Sequence, residues 1–347
     1  MSLPLSESDG HSGADRWKAW DSFLEATPDA GFMQSSWYAD FRASVGYECF
    51  GVVLKDQDVI VGGAMVVKWS YAPYGCFYYI SDGPVLPGQE PAASEAFDAI
   101  LEIIEKHRKS EAETVSHLRI EPRWRSLPSF VRGFQTLTFP DAYTEPRNTL
   151  CIDLRPSEDA ILAQMKPKGR YNVRIARRHG VSVIEDTSDQ GLADFLRIYK
   201  RTVVRQRIDA KPPGYFRTLL GILSDRRQVS IFFAEYRGRR LAAALVVYFG
   251  RRATYFFGGS LVVQRRLMAP YLLQFEIMRG AKARGCEWYD LWGVAPEGAT
   301  DDPWHDISVF KRKFGGLELN LVPTLDHVYD PEAYDHYVAS TREAAAA

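Results

Sequence analysis

The chain has 347 residues, enough for two domains of about 150 each. Its 46% hydrophobic and 25% charged residues describe a globular protein rather than a disordered or fibrous one. Lys and Arg total 43 against 44 Asp and Glu, a net charge of −1, which excludes a uniformly basic nucleic-acid coat and leaves room only for a local basic patch. The longest apolar runs, residues 59–67 and 241–249, have nine residues each, far below the roughly 20 of a membrane helix. Residues 1–15 have neither the basic start nor the apolar centre of a secretory signal. Cys49, Cys76, Cys151 and Cys286 are scattered without metal-type spacing, and no histidines pair at helical spacing. A soluble cytoplasmic protein without a metal is expected.

In chain order, Trp37 and Phe41 fall at the spacing of a short amphipathic helix. Residues 50–69, FGVVLKDQDVIVGGAMVVKW, read as a strand, a polar turn at 55–58 and a second strand. An aromatic strand at 77–80 and a Gly-containing turn follow. Residues 95–107 form a helix with Phe97, Ile100, Leu101 and Ile104 on one face, and residues 115–120 a short strand. Beyond the segment 156–180 the series returns. A helix carries Phe216, Leu219 and Leu220; residues 231–250, IFFAEYRGRRLAAALVVYFG, repeat the strand, the turn at 237–240 and the strand. An aromatic strand at 254–257, a helix at 270–284 with Leu273, Ile277 and Ala281 inward, and a strand at 288–292 complete it. Aligning residue 50 with residue 231 sets an offset of 181. Short apolar segments at 317–322 and 326–329 are too short for a third unit, and no heptad run is present.

Helix, antiparallel strands, helix, strand is an α+β pattern that resembles the GNAT acyltransferase fold, here as two tandem GNAT-like domains without a coiled-coil insertion. The expected organisation is an unstructured N-terminus at 1–15, a first domain at 16–154 with 317–340 packing back on it, a second domain at 155–316, and an unstructured tail at 341–347. An acyl-CoA enzyme of this type needs a Gly-rich turn before its long helix, where backbone N–H groups hold the pyrophosphate. The chain has Gln264-Arg265-Arg266-Leu267-Met268-Ala269 there, and Leu267 is expected to block the phosphates. The first copy offers Asp82-Gly83-Pro84-Val85-Leu86-Pro87, equally unsuited. The pattern says acyl transfer while the coenzyme A site is missing.

Five stretches make the resemblance specific: Phe32-Met33-Gln34-Ser35-Ser36-Trp37; Met165-Lys166-Pro167-Lys168-Gly169-Arg170-Tyr171-Asn172-Val173-Arg174; Tyr199-x-x-Thr202-x-x-Arg205; Tyr289-Asp290-Leu291-Trp292-Gly293; and Phe310-Lys311-x-x-Phe314-Gly315. In this order the chain resembles the FemABX family, tandem-GNAT proteins that move an amino acid from aminoacyl-tRNA onto a peptidoglycan precursor peptide. The lack of a coiled-coil insertion makes it similar to the short members acting on the soluble nucleotide precursor, with a lipid-linked precursor as the other acceptor. It departs at Asp82-Gly83-Pro84, where the family commonly has Arg-Gly-Pro.

The resemblance implies that Phe310 and Lys311 lie where the tRNA acceptor end meets the acceptor peptide. A cation beside the reacting ester would stabilise the developing oxyanion, an effect of roughly 3 kcal/mol per donor, and Phe310 would stack on the terminal adenine. The alternative is a solvated basic turn closed by Gly315-Gly316. Asp290, at the open end of its strand, either orients the attacking amine or acts as its base, or anchors a neighbouring turn. Arg205 follows Tyr199 and Thr202 at helical spacing and is placed to bind a diphosphate, the alternative being an exposed helix end. Tyr255 either touches the precursor peptide or packs in the core. Arg42 is the cation nearest to the position where short family members carry a phosphate-binding lysine. Residues 166–180 hold Lys166, Lys168, Arg170, Arg174, Arg177 and Arg178 with no acid. Arg170, Arg174, Arg177 and Arg178 are expected to form one basic helix face for tRNA or a nucleotide diphosphate.

The resemblance implies no metal, nicotinamide or coenzyme A, the donor being aminoacyl-tRNA carrying Gly, Ala or Ser, and it suggests a monomer. Two other readings remain at this level: an acyltransferase for another cell-envelope or exopolysaccharide acceptor, and a non-catalytic tandem that binds tRNA or a peptide.

Overall fold

The two copies of the repeat build two separate sheets. A computed structural model describes residues 2–4, 17–71, 75–137, 145–206, 210–223 and 228–346. The chain divides into a first unit, Met1–Arg147 with Leu321–Ala347, and a second, Asn148–Asn320.

In the first unit β1 (Ser2–Pro4), β2 (Glu48–Asp56), β3 (Val59–Ser70), β4 (Cys76–Ser81), β5 (Val115–Glu121) and β6 (Gln135–Thr136) are joined by a strand from the far end of the chain, β14 (Leu325–Val328), which inserts between β5 and β6. In the second, β7 (Asn148–Asp153), β8 (Ser182–Glu185), β9 (Val229–Tyr236), β10 (Arg239–Phe249), β11 (Arg252–Ser260), β12 (Trp288–Gly293) and β13 (Leu317–Asn320) run in the order β8-β9-β10-β11-β12-β7-β13. Both sheets are antiparallel except for one pair at the same place in each, β4 with β5 and β11 with β12.

The hairpins are dictated locally. β2 and β3 turn over Gln57 and Asp58 (φ 45° and 69°), and β9 and β10 over Arg237 and Gly238 (φ 50° and 71°). Two successive left-handed residues make a type I′ turn, whose twist matches that of the strands it joins. Equating these turns puts the repeat at an offset of 180, one less than the expected 181. The buried faces agree: Val52, Leu54, Ala64 and Val66 face the first core where Phe232, Ala234, Ala244 and Val246 face the second. A slip of one residue would turn every one of them outward.

Three helices belong to the N-terminal part of the first unit: α1 (Lys18–Ala26), α2 (Ser36–Ser44) and α3 (Ala92–Arg108). Ser35 caps α2 by accepting from the Tyr38 N–H, and α3 buries Phe97, Ile100 and Ile104, each adding about 1.5–3 kcal/mol by burial; Leu101 is only half-buried. The Phe32–Trp37 motif serves this sheet. β3 and β4 stop pairing at Val67 and Tyr79, and the Gln34 amide replaces the next rung. Its Oε1 accepts from the Met65 N–H at 2.8 Å and its Nε2 donates to the Ser81 carbonyl at 2.5 Å.

The second unit holds α4 (Glu158–Gln164), α5 (Pro167–Arg178), α6 (Asp189–Gln206), α7 (Pro213–Leu223), α8 (Ala269–Ala283) and α9 (His305–Lys311). Pro167 opens α5, where its missing N–H is no loss. α8 buries Leu273, Ile277 and Ala281, and α7 buries Phe216, Leu219 and Leu220.

Several expected boundaries move. β7 and β13 belong to the second sheet, where they pair with each other, although the expected limits gave residues up to 154, and those from 317, to the first domain. Such long-range pairing leaves no local mark on a sequence. The expected unstructured tail continues α10 (Pro331–Ala346), as a run of alanines, the strongest helix former, favours. Ser2–Pro4 pairs with β2, while residues 5–15 of the expected unstructured N-terminus lie outside the described residues, as does Ala347.

Candidate functional site

The site of the second unit is built where two parallel strands part. β11 and β12 share three rungs, the last joining Thr254 to Asp290. Beyond it β12 bulges against β7 between Asp290 and Gly293, and Trp292 takes a left-handed backbone (φ 64°), a conformation uncommon outside glycine. β11 has its own irregularity opposite Leu245 and Val246, which puts Tyr255 and Gly258 on one face. A Cβ on Gly258 would lie 2.1 Å from the Tyr255 hydroxyl, and one on Gly259 would lie 2.5 Å from the Thr202 hydroxyl of α6. Close approach therefore requires glycine at both positions.

α9 delivers Lys311 to this opening. Its Nζ donates to the Gly293 carbonyl at 2.7 Å and stands 5.9 Å from the centre of the Tyr255 ring, with only 6% of the residue exposed. Asp290, fully buried, accepts from the Thr149 hydroxyl and, at 2.9 Å, from the Trp292 N–H. α9 is pinned by Ser308, whose Oγ accepts from the Ala295 N–H at 2.7 Å, and by Arg312, which forks onto Glu318 at 2.6 and 2.9 Å. Burial pulls the Lys311 ammonium down to about 7, and the negative charge of Asp290 opposes that shift. Burial pushes the Tyr255 phenol up. The arrangement is a buried lysine whose ammonium is disfavoured by burial and supported by the charge of Asp290.

Phe310 is half-buried. It meets Tyr271 and Phe314 edge-on at 5.1 and 5.2 Å, so it forms part of an aromatic trio. Arg205 is exposed and donates to the Ser260 carbonyl at 2.8 Å, next to Thr202, which holds the same residue. Desolvation and the neighbouring charge of Arg265 lower its pKa. Tyr199 and Thr202 are buried, so of the three expected on one face only Arg205 meets solvent. Arg42 belongs to the first unit, where its guanidinium lies over Tyr47 at 4.0 Å and Trp69 at 5.0 Å.

The expected basic face divides. Lys168 and Arg174 are exposed, but Arg170 turns back onto the Ala163 and Met165 carbonyls at the end of α4, and Arg177 pairs with Glu276 at 2.8 Å. Carbonyls left open at a helix C-terminus attract such a cation. Leu267 also differs from expectation: it is buried in the core instead of blocking the turn, and the Leu267 and Met268 N–H groups bond to the turn's own Gln264 and Arg265 carbonyls. Thr149 and Ser308 carry no sequence signal, and the Tyr289–Gly293 stretch that includes Trp292 does not announce its left-handed backbone. Among the described residues, no group of three or more His, Cys, Asp or Glu could hold a metal, and no helix is long and apolar enough to cross a membrane.

The chain is 28% identical over 296 residues to a UDP-N-acetylmuramoylpentapeptide-lysine N(6)-alanyltransferase of Weissella viridescens, covering 84% of this chain and 78% of that protein. It is 20% identical to a lipid II:glycine glycyltransferase of Staphylococcus saprophyticus, covering 91% and 92%. The crystal structure of FemX superposes with a TM-score of 0.82 at 17% identity over 95% of this chain and 99% of that one, which shows the fold. A FemAB family model matches residues 125–237 and 223–339, more than half of the sequence. The chain belongs to the FemAB family.

Proposed function

We propose that this chain is an aminoacyltransferase that moves an amino acid (Gly, Ala or Ser) from aminoacyl-tRNA to the stem-peptide amino group of a peptidoglycan precursor. The observation that carries the reading is Lys311, a buried lysine brought near neutrality at the parting of β11 and β12 and facing Asp290 through charge. The aminoacyl ester is already activated, so catalysis consists of positioning the amine and managing one proton and one oxyanion. The precursor amine attacks the ester carbonyl and a C–N bond forms. Neutral Lys311 accepts the amine proton, and the resulting ammonium stands against the oxyanion. The same proton then passes to the ribose oxygen as the C–O bond breaks. Asp290 holds the ammonium form within reach. Phe310 presents a ring edge to the adenine of the acceptor end, Tyr255 lines the peptide side, and Arg205 and Arg42 are the cations offered to phosphate. No cofactor is required, and the protein acts as a monomer in the cytoplasm, where both substrates are made.

The relatives named above support this reading by acting on a lysine-containing nucleotide pentapeptide and on lipid II. Incubation of the protein with UDP-MurNAc-pentapeptide and a charged tRNA pool, followed by mass spectrometry, tests it. A mass gain of one glycyl, alanyl or seryl residue that RNase abolishes is expected. No gain with lysine- or diaminopimelate-containing precursor, nucleotide- or lipid-linked, would overturn it.

A further inference from the structure

Once Arg170 and Arg177 are engaged, the basic helix keeps a different face. Lys168, Tyr171, Arg174 and Arg178 recur at intervals of three, three and four residues, so they form one stripe along α5. All four are exposed, Tyr171 by 57%, and among the described residues no carboxylate pairs with the three cations. Ten residues of helix span about 15 Å. The opposite face, with Gly169, Asn172, Val173 and Ala176, is buried, so the stripe is held rigidly.

The stripe is tied to the Lys311 segment. The Lys166 N–H donates to the Lys313 carbonyl at 3.0 Å. Gly169 lies so close to the same carbonyl that a Cβ would come within 2.3 Å of it. The first cation of the stripe therefore lies between the two residues that fasten α5 to the chain just after Lys311.

We propose that this face, Lys168–Tyr171–Arg174–Arg178, is the docking surface for the RNA that delivers the aminoacyl ester, the cations on its phosphates and Tyr171 stacked on an unpaired base. The proposal rests on the aminoacyl-transfer reading. Charge complementarity selects the occupant: three unpaired cations and a central aromatic ring match a polyanion with exposed bases. A membrane surface would call for an apolar face of large side chains, and the stripe has none beyond Tyr171.

The test is fluorescence anisotropy with an RNA minihelix bearing an unpaired 3′ end, over a range of salt, using the full chain. K168Q/R174Q/R178Q is expected to lower affinity by about tenfold or more and to flatten the salt dependence by roughly two charges. Tyr171→Ala is expected to lose about fivefold with the unpaired end and nothing with a blunt duplex. K106Q/K109Q, at the C-terminal end of α3, leaves both unchanged. Transfer from full-length aminoacyl-tRNA falls in the stripe variant, through a raised KM. Unchanged affinity and salt slope in the triple variant would overturn the proposal, as would a loss confined to anionic vesicles. Stripe-dependent RNA binding by a protein that transfers from no aminoacylated RNA would support the surface and sink the transferase reading.

Discussion

The two units place opposite charges at the same lattice point. In the first sheet Tyr79 stands beside Val67 on one side and Arg119 on the other; in the second Thr254 stands beside Val247 and Asp290. Arg119 and Asp290 are therefore equivalent, and both are buried. Around Arg119 the neighbourhood is complete. Asp326, from the next strand, takes its guanidinium through two bonds of 2.8 Å, Tyr337 accepts a third, and the parallel pair runs on through Ile120 and Glu121. Next to Asp290 the adjacent strand offers Cys151, the parallel pair has ended, and the counter-charge comes from Lys311 on a helix outside the sheet. The buried pair in the first unit keeps its cation charged; the desolvated one in the second gives its proton up near neutrality. One scaffold thus makes either a structural bolt or a proton-exchanging group, depending on how many partners the cation is given.

Removing each cation should break this comparison in opposite ways. Arg119→Met leaves Asp326 buried without its partner and should lower the stability of the protein by about 3–5 kcal/mol, read by urea denaturation. An unchanged denaturation midpoint would erase the distinction. Lys311→Met should cut the transfer rate by roughly 10²–10³ without loss of thermal stability. Its pH dependence fixes the sign. The folded lysine titrates at about 7 against 10.5 when unfolded, so the unfolded chain holds the extra proton between these values. Wild-type stability relative to Lys311→Met should therefore rise with pH from about 7 to 10.5, and wild-type transfer should rise through pH 7 as the neutral lysine forms. A variant less stable than wild type below pH 7 would contradict the desolvation account. Thr149→Val is the smallest change. It removes a donor to Asp290, should slow transfer by about tenfold, and should move the midpoint of the pH–rate profile upward, because a carboxylate that has lost a donor presents more of its charge to Lys311. A rate loss without a shift in midpoint would make Thr149 merely structural.

The repeat was legible in the sequence because its hairpins are local. Two-residue turns and apolar alternation carry their own signal, and only the register, 180 rather than 181, is set by the fold itself. The amphipathic helices were legible for the same reason, as Phe97, Ile100 and Ile104 show. The exchange of strands was not: nothing in Asn148–Asp153 says that it pairs with β12 and β13 rather than joining the first sheet. At the candidate site Lys311 and Asp290 stand out as residue types, but the kink at Trp292 that turns the Gly293 carbonyl toward Lys311, and the hydroxyl of Thr149, arise from tertiary pairing. The basic run misled for a related reason. Charge spacing does not say which guanidinium will fold back onto a carbonyl, and Arg170 does so while Arg174 does not.

The insertion of β14 between β5 and β6 sets an order of events during synthesis. The first unit is translated first, yet its sheet lacks the strand next to its β6 edge, and Arg119 lacks Asp326, until residues 325–328 have left the ribosome. The second unit, Asn148–Asn320, is complete before then. Nascent domains usually close in the order they emerge; here the earlier-made half is sealed last. A ribosome that stalled or stopped just short of β14 would release a chain with its proton-exchanging lysine in place and its N-terminal half unsealed, a product for quality-control proteases to find.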